Sequence, residues 1–256
     1  MLSSMDFSVQ RVAAAALVCA ALFLQGAHSR GLSDLELADE SYQVDVLGHN
    51  KDFDYFHLVR EWGETFCEHT KCTRVPRGNR FTIHGMWPEY KSGGWPEYCA
   101  NVKFDMDELS DIMPELEQQW PSLKMPNIAF WAHEWGRHGT CAISMFPSEH
   151  DFFQAVLKLH AKLDIAAALK RSGIYPSAHT PYKAESISTA IKKAFGEYPM
   201  LHCEGDELNE VWMCISKDLS VMRCPAADKY ACHGEVFIPP EDAIATSAQG
   251  NAVDVA

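Results

Sequence analysis

Phe53-Asp54-Tyr55-Phe56-His57-Leu58-Val59-Arg60-Glu61-Trp62 is rich in aromatic and aliphatic residues and contains neither glycine nor proline. Such a run reads as a buried β-strand. Downstream, Arg80 to His84 is a second short strand candidate, stopped by Gly85 and Pro88. The middle of the chain then changes character. A helix is expected from Met106 to Trp120, capped by Asp105 and ended by Pro121, with Pro114 producing a kink or dividing it into two. Asn127 can cap a helix through Phe130, Trp131, Glu134 and His138 that stops at Gly139. Ser148 can cap another, whose stripe of Phe152, Phe153, Val156, Leu157 and Leu159 precedes Gly173. Thr180-Pro181 is expected to start a further helix, closed by Gly196.

Beyond that point the period falls to two. Val211, Met213 and Ile215 alternate with other residues, and Lys217-Asp218 turns the chain toward Val221 to Cys224. Strands first, helices in the middle and strands last predict an α+β fold, an antiparallel sheet with helices packed on one side.

Residues 1–29 carry Arg11, an apolar run of 13 residues from Val12 to Leu24, and the small-residue pattern Ala27-His28-Ser29. That pattern predicts a cleaved secretory signal. The run is well short of the roughly 20 residues that span a bilayer, so no membrane span is expected. Residues 30–240 then read as one catalytic domain, and the small, polar, acidic stretch 241–256 as a disordered tail. Cys19 leaves with the signal, and the other eight of the nine cysteines make an even set for an oxidising compartment. Count alone leaves their pairing open. Structural zinc is the competing reading, but Cys67 and Cys72 lack a second close pair.

The formal charge is −13 with 12 histidines, and the isoelectric point is about 5.3. A protein that coats nucleic acid by bulk charge is basic, so that class is excluded. An enzyme holding a few nucleotides in a local pocket is not.

Two segments concentrate reactive side chains. They are Phe81-Thr82-Ile83-His84-Gly85-Met86-Trp87-Pro88 and Trp131-Ala132-His133-Glu134-Trp135-Gly136-Arg137-His138-Gly139-Thr140-Cys141. In the second, His133 and His138 are five residues apart, about 140° around a helix, too divergent to share a metal. A zinc hydrolase is therefore the weaker reading. Glu134 and His138 are four apart and share one face, where a carboxylate can orient an imidazole and raise its pKa. Arg137 adds a fixed cation. Taken alone, His133 and His84 would each read as ordinary packed histidines; the pairing of the two segments favours chemistry.

These segments resemble the two active-site signatures of the ribonuclease T2 family, in the family's order and at nearly every position. The resemblance runs from Phe53 to about Ile238 and includes the cysteine pattern. It implies an endoribonuclease that cleaves single-stranded RNA, without cofactor or metal, by attack of the ribose 2′-hydroxyl on the adjacent phosphorus to leave a 2′,3′-cyclic phosphate. Such chemistry needs a base, an acid and donors around the phosphoryl oxygens. By the same resemblance His138 is the base and His84 the acid, Glu134 holds the base or polarises the phosphate, and His133 and Arg137 bind phosphate oxygens. Trp87 and Glu89 correspond to positions beside the base pocket. The disulfides implied are Cys67–Cys72, Cys99–Cys141, Cys203–Cys232 and Cys214–Cys224.

Two positions depart from the family pattern. Arg137 replaces a usual lysine, keeping the charge as a planar fork, and Glu61 stands where glutamine is common. DNA is not an expected substrate, a monomer is expected, and the location implied is extracellular, vacuolar or lysosomal. With two histidines in opposite protonation states, an acidic, bell-shaped pH dependence follows. The competing class is a catalytically silent secreted protein on the same fold, used for binding or storage. Loss of a catalytic histidine would mark it, and both are present.

Overall fold

In a computed structural model of the chain, the residues described are 52–74, 78–225 and 231–241. The expected signal at 1–29 lies outside them, as does the expected acidic tail except for Glu241. The first strand, β1 (Tyr55–Trp62), is buried along its whole length. It lies one strand in from the sheet edge, paired antiparallel with β2 (Phe81–Glu89) on one side and with β5 (Glu207–Ile215) on the other. Alternation along a strand sends neighbouring side chains to opposite faces. Phe56, Leu58 and Trp62 therefore join Ile83, Met86, Val211, Met213 and Ile215 in the main core. The other phase of the same strands places Glu61 opposite Glu210 and Thr82, and His57 opposite Trp87.

The far edge of β5 is extended antiparallel by β4 (Met200–Glu204) and β6 (Val221–Met222). A single parallel pairing, Glu207 with Phe237, connects β5 to β7 (Glu235–Ile238), which in turn pairs antiparallel with β3 (Ser177–Lys183). The sheet is thus antiparallel but for that one junction. Trp62 Nε1 donates to Pro239 O at 2.9 Å, tying β1 to the chain just beyond β7.

Helices cover the core face. The short α1 (Gly63–His69) follows β1 directly. The expected helix at 106–120 is divided into a 3-10 turn, Met106–Leu109, capped by Asp105, and α2 (Met113–Gln119), with Pro114 in its first turn where a missing N–H is harmless. α3 (Asn127–Arg137) does begin at Asn127, but Asn127 is not its cap. Its side-chain oxygen instead accepts from Ser122 N and Arg74 Nη1, so a tertiary contact takes the oxygen that a cap would use.

Ser148 caps α4 (Glu149–Lys162), but the apolar stripe does not run on as one helix to Gly173. Asp164 caps a separate α5 (Ile165–Arg171). Thr180-Pro181 belongs to β3 and does not begin a helix. β3 lies at the edge of the sheet, where a residue without an N–H is tolerated, and α6 (Ala184–Phe195) starts only afterwards, closing at Gly196 with φ 98°.

Four disulfides join Cys67 to Cys72, Cys99 to Cys141, Cys203 to Cys232 and Cys214 to Cys224. The second closes a separation of 42 residues and fastens the 3-10 turn Gly139–Ala142, immediately after α3. Replacing both Cys99 and Cys141 by alanine is expected to lower stability by about 2–4 kcal/mol, mostly by freeing the unfolded chain. A thermal melt checks this. An unchanged melting temperature would mean the bridge does not hold the end of α3.

Candidate active site

The pairing of β1 with β2 skips one residue. Val59 faces Gly85 and Arg60 faces Ile83, so His84 is an extra residue in a β-bulge. Bulges re-aim a side chain out of the regular alternation. Here the carbonyl of His84 is held by Trp120 Nε1 at 2.9 Å, and the carbonyl of Trp120 by Trp131 Nε1 at 2.8 Å. The bulge is thereby anchored to α3 through two indoles.

Next to it, Gly85 makes room. A Cβ at this position would lie 2.2 Å from Glu134 Oε2 and 2.3 Å from Trp87 Nε1. These two atoms are hydrogen-bonded to each other at 2.9 Å, the indole donating. The Trp87 ring also has His84 edge-on at 5.1 Å and His138 stacked at 5.2 Å with 28° between planes. His84, Glu134 and His138 therefore all meet one side chain. Glu134 lies in the last turn of α3 and His138, expected within the helix, is the residue that caps it, its N donating to Glu134 O at 3.0 Å.

His84 Nδ1 lies 2.6 Å from Glu210 Oε1, and Glu210 Oε2 accepts from Trp212 Nε1 at 2.8 Å. Burial opposes a charge on His84, but the bond to Glu210 and the charges of Glu210, Glu134 and Glu61 outweigh it and raise its pKa to about 9. For Glu210 the outcome is reversed. Burial would raise it, and the contacts with His84 and Trp212 hold it below the ordinary value. His138 is pushed down to about 3 by burial, reinforced by the positive charges of Arg137, His133 and His84. Burial also raises Glu134 and Glu61 to about 7, against the opposing pull of His84 on both.

A cleft of about 260 Å³ opens beside this group, lined by Glu61, Phe66, His84, Phe130, His133 and Glu134 among others. His133 is exposed, and its pKa is lowered by burial and by Arg137. Arg137 is half-buried, with Nε 3.0 Å from Glu97 Oε2. Glu89 is on the same strand, two residues past Trp87, where it lies 3.3 Å from His57 Nδ1. The structure thus gathers His84, Trp87, Glu134 and His138 tightly, sets His133 in the adjoining cleft, and leaves Arg137 and Glu89 each engaged with another partner.

Glu210 and Trp212 are residues that sequence reasoning missed. Their signal was the second phase of the alternation in β5: with Val211, Met213 and Ile215 inward, residues 210 and 212 must share the other face. Among the described residues, Glu61, His84 and Glu210 offer donor atoms within 4.8 Å of one another, a set that could hold a metal ion. His84 Nδ1 and Glu210 are bonded to each other at 2.6 Å, so a metal there would have to displace the proton that Glu210 favours on His84.

Glu210→Gln removes the charge that holds the proton on His84. Its imidazole pKa is expected to fall by more than one unit, read from the ring-proton shift in an NMR titration. A value still near 9 would mean that Glu210 does not set it.

The model of the Ribonuclease T2 family matches residues 53–224. Ribonuclease DdI of Dictyostelium discoideum is 38% identical over 190 residues, 73% of this chain and 85% of that protein. Ribonuclease 3 of Arabidopsis thaliana is 36% identical over 212 residues, 77% of this chain and 94% of that one. Among solved structures, RNase NT in complex with 5′-AMP superposes with a TM-score of 0.69 at 33% identity, covering 74% of this chain and 100% of that chain.

Proposed function

The chain belongs to the ribonuclease T2 family and is an endoribonuclease of that type, in which we propose that His138 and His84 are the base and acid of a metal-independent transesterification. The observation that carries the assignment is their juxtaposition on the Trp87 ring, with the Glu210 carboxylate bonded to His84 and the Nδ1 of His138 buried without a partner. His138, with a pKa near 3, is neutral and able to take a proton; His84, near 9, carries one to give. A base and an acid that must act together need this arrangement.

In the step envisaged, the ribose 2′-hydroxyl loses its proton to His138 as its oxygen bonds to phosphorus. The bond from phosphorus to the 5′-oxygen breaks, and that oxygen takes a proton from His84. His84 Nδ1 is committed to Glu210, so the transferred proton sits on Nε2. The Nδ1 of His138 is buried, which leaves its other ring nitrogen for the hydroxyl. Glu134, with a pKa near 7, is protonated under mildly acidic conditions and can donate to a non-bridging phosphoryl oxygen while its other oxygen accepts from Trp87. Arg137 adds positive charge at the rim by exchanging Glu97 for phosphate, and His133 adds a ring N–H donor for a phosphate oxygen.

Because the nucleophile is the 2′-hydroxyl, RNA is the substrate and DNA is inert, and the in-line approach of that hydroxyl to phosphorus favours a flexible single strand over a duplex. The leader at 1–29 and the four disulfides support secretion or delivery to an oxidising lumen, with residues 30–240 as a monomeric mature domain. Among the described residues no helix is long and apolar enough to cross a membrane.

The test is to incubate the mature protein with a short RNA and its DNA counterpart in excess chelator, and to read fragment masses. RNA ends carrying 2′,3′-cyclic phosphate, with intact DNA, are expected; His84→Ala and His138→Ala should each lower kcat by about 10²–10⁴. Activity lost to the chelator and restored by zinc would defeat the mechanism. Intact RNA from folded, oxidised protein would leave the silent binding protein.

The pH dependence follows from signs. His138 must be deprotonated, which holds above about pH 3. Glu61 and Glu134 become negative above about 7 and then repel a phosphodiester. The optimum is therefore acidic. Glu61→Gln removes one of those two charges and should move the alkaline limb of kcat/KM upward; a limb that is unmoved, or moved down, would exclude Glu61 from it.

A further inference from the structure

The opposite face of β1 carries a second polar group that catalysis does not use. Arg60 follows Val59 and precedes Glu61, so its side chain points away from the active site into the layer beneath the helices. It is fully buried. None of its three guanidinium nitrogens has a hydrogen-bond partner among the described residues. It lines a cavity of about 480 Å³ together with Arg80, His160 and Asp164. Arg80 Nε and His160 Nδ1 are also buried without a hydrogen-bond partner.

The carboxylate in this wall, Asp164, is already engaged as the cap of α5, its Oδ1 accepting from Ala167 N at 2.9 Å. Glu241 reaches the neighbouring loop but accepts there from Gly78 N. Among the described residues, two guanidinium groups and an imidazole thus line one cavity against a single carboxylate, which is spent as a helix cap. A cation withdrawn from water in this way is strongly disfavoured unless something negative joins it. The side chains show that stress. Burial lowers Arg60 to about 9, and burial together with Arg60 and Arg80 lowers His160 to about 4, with Asp164 opposing.

We propose that this cavity is an anion site, separate from the catalytic cleft, which takes a phosphate dianion either free or as the head of a small phosphomonoester. Arginine forks match the oxygens of a phosphate, and a third donor from His160 would complete three sides of it. The volume lies in the range of about 300–1,000 Å³ found for small-molecule sites. Phe81, Leu163 and Ile165 supply an apolar wall for the body of an ester.

The experiment is a thermal melt of the mature protein in rising inorganic phosphate, and separately in a ribonucleoside 3′-monophosphate, against chloride at equal ionic strength. Ligands that bind only the folded state raise the melting temperature. The catalytic cleft contributes part of that rise, so Arg60→Met is compared with wild type.

Arg60→Met is expected to melt at or above the wild-type temperature without phosphate, since an unpaired buried cation has been replaced by an apolar chain. It should lose at least half of the phosphate-dependent rise, while cleaving a short RNA within about twofold of wild type. A full phosphate-dependent rise in Arg60→Met, or an equal rise with chloride in wild type, would overturn the proposal. Should that variant fail to fold, Arg80→Gln decides by the same readout. A larger rise with the monophosphate assigns the apolar wall to an ester, and equal rises assign the site to free phosphate.

Discussion

The hydrogen bond from Trp87 Nε1 to Glu134 Oε2 is the constraint on which the active site depends. It joins β2 to α3 where both carry reactive groups, and it forms because Gly85 presents no side chain between them. With the indole fixed by that bond, one ring face receives His138 and an edge receives His84. The two histidines come from elements with no sequence proximity, and a single aromatic ring sets their spacing. The Trp131-to-Trp120-to-His84 carbonyl series reinforces the same join from below.

Around this frame the charges are arranged by burial and pairing together. His84 and His138 are the same chemical group a few ångströms from one tryptophan, yet one is driven toward the charged form and the other toward the neutral form. Glu210 makes the difference: it is bonded to His84, while His138 is held down by burial and by the charges of Arg137, His133 and His84. The net charge of −13 is therefore no obstacle to handling a phosphodiester. Potential at the reacting atoms is set locally, and two of the acidic groups facing the cleft are neutral under mildly acidic conditions.

Much of this was legible in the sequence where local chemistry decides. The ten residues from Phe53 to Trp62 read as a buried strand because nothing in them interrupts it, and Asp105 and Ser148 cap helices as their residue types predict. Legibility failed where a distant contact took precedence. Asn127 looks like a cap but spends its oxygen on Ser122 and Arg74; Pro181 looks like a helix start but sits on a sheet edge. β4, β7 and the junction of β5 with β7 are set by long-range pairing that no short window contains. For the site, Glu134 and His138 were visible as a pair one turn apart, but Glu134 bonds Trp87, and burial lowers the His138 pKa where the pairing predicted a rise. Glu210 was not, because its partner is 126 residues away. The bulge at His84 was hidden for the same reason: it is a property of the register between two strands.

The order in which the sheet can be assembled has a bearing on the cell that makes this protein. β1 pairs with β5, and Trp62 is tied to Pro239, so the strand that emerges early waits for partners near the end of the chain. Chains are made from the amino end, and long-range strand pairs form late. His84 and His138 are both synthesised well before Glu210, whose charge raises the pKa of the acid. The nascent chain on a ribosome, itself built of RNA, thus carries both histidines but lacks the carboxylate that arms one of them. The acid is therefore complete only once β5 has been made and has paired with β1.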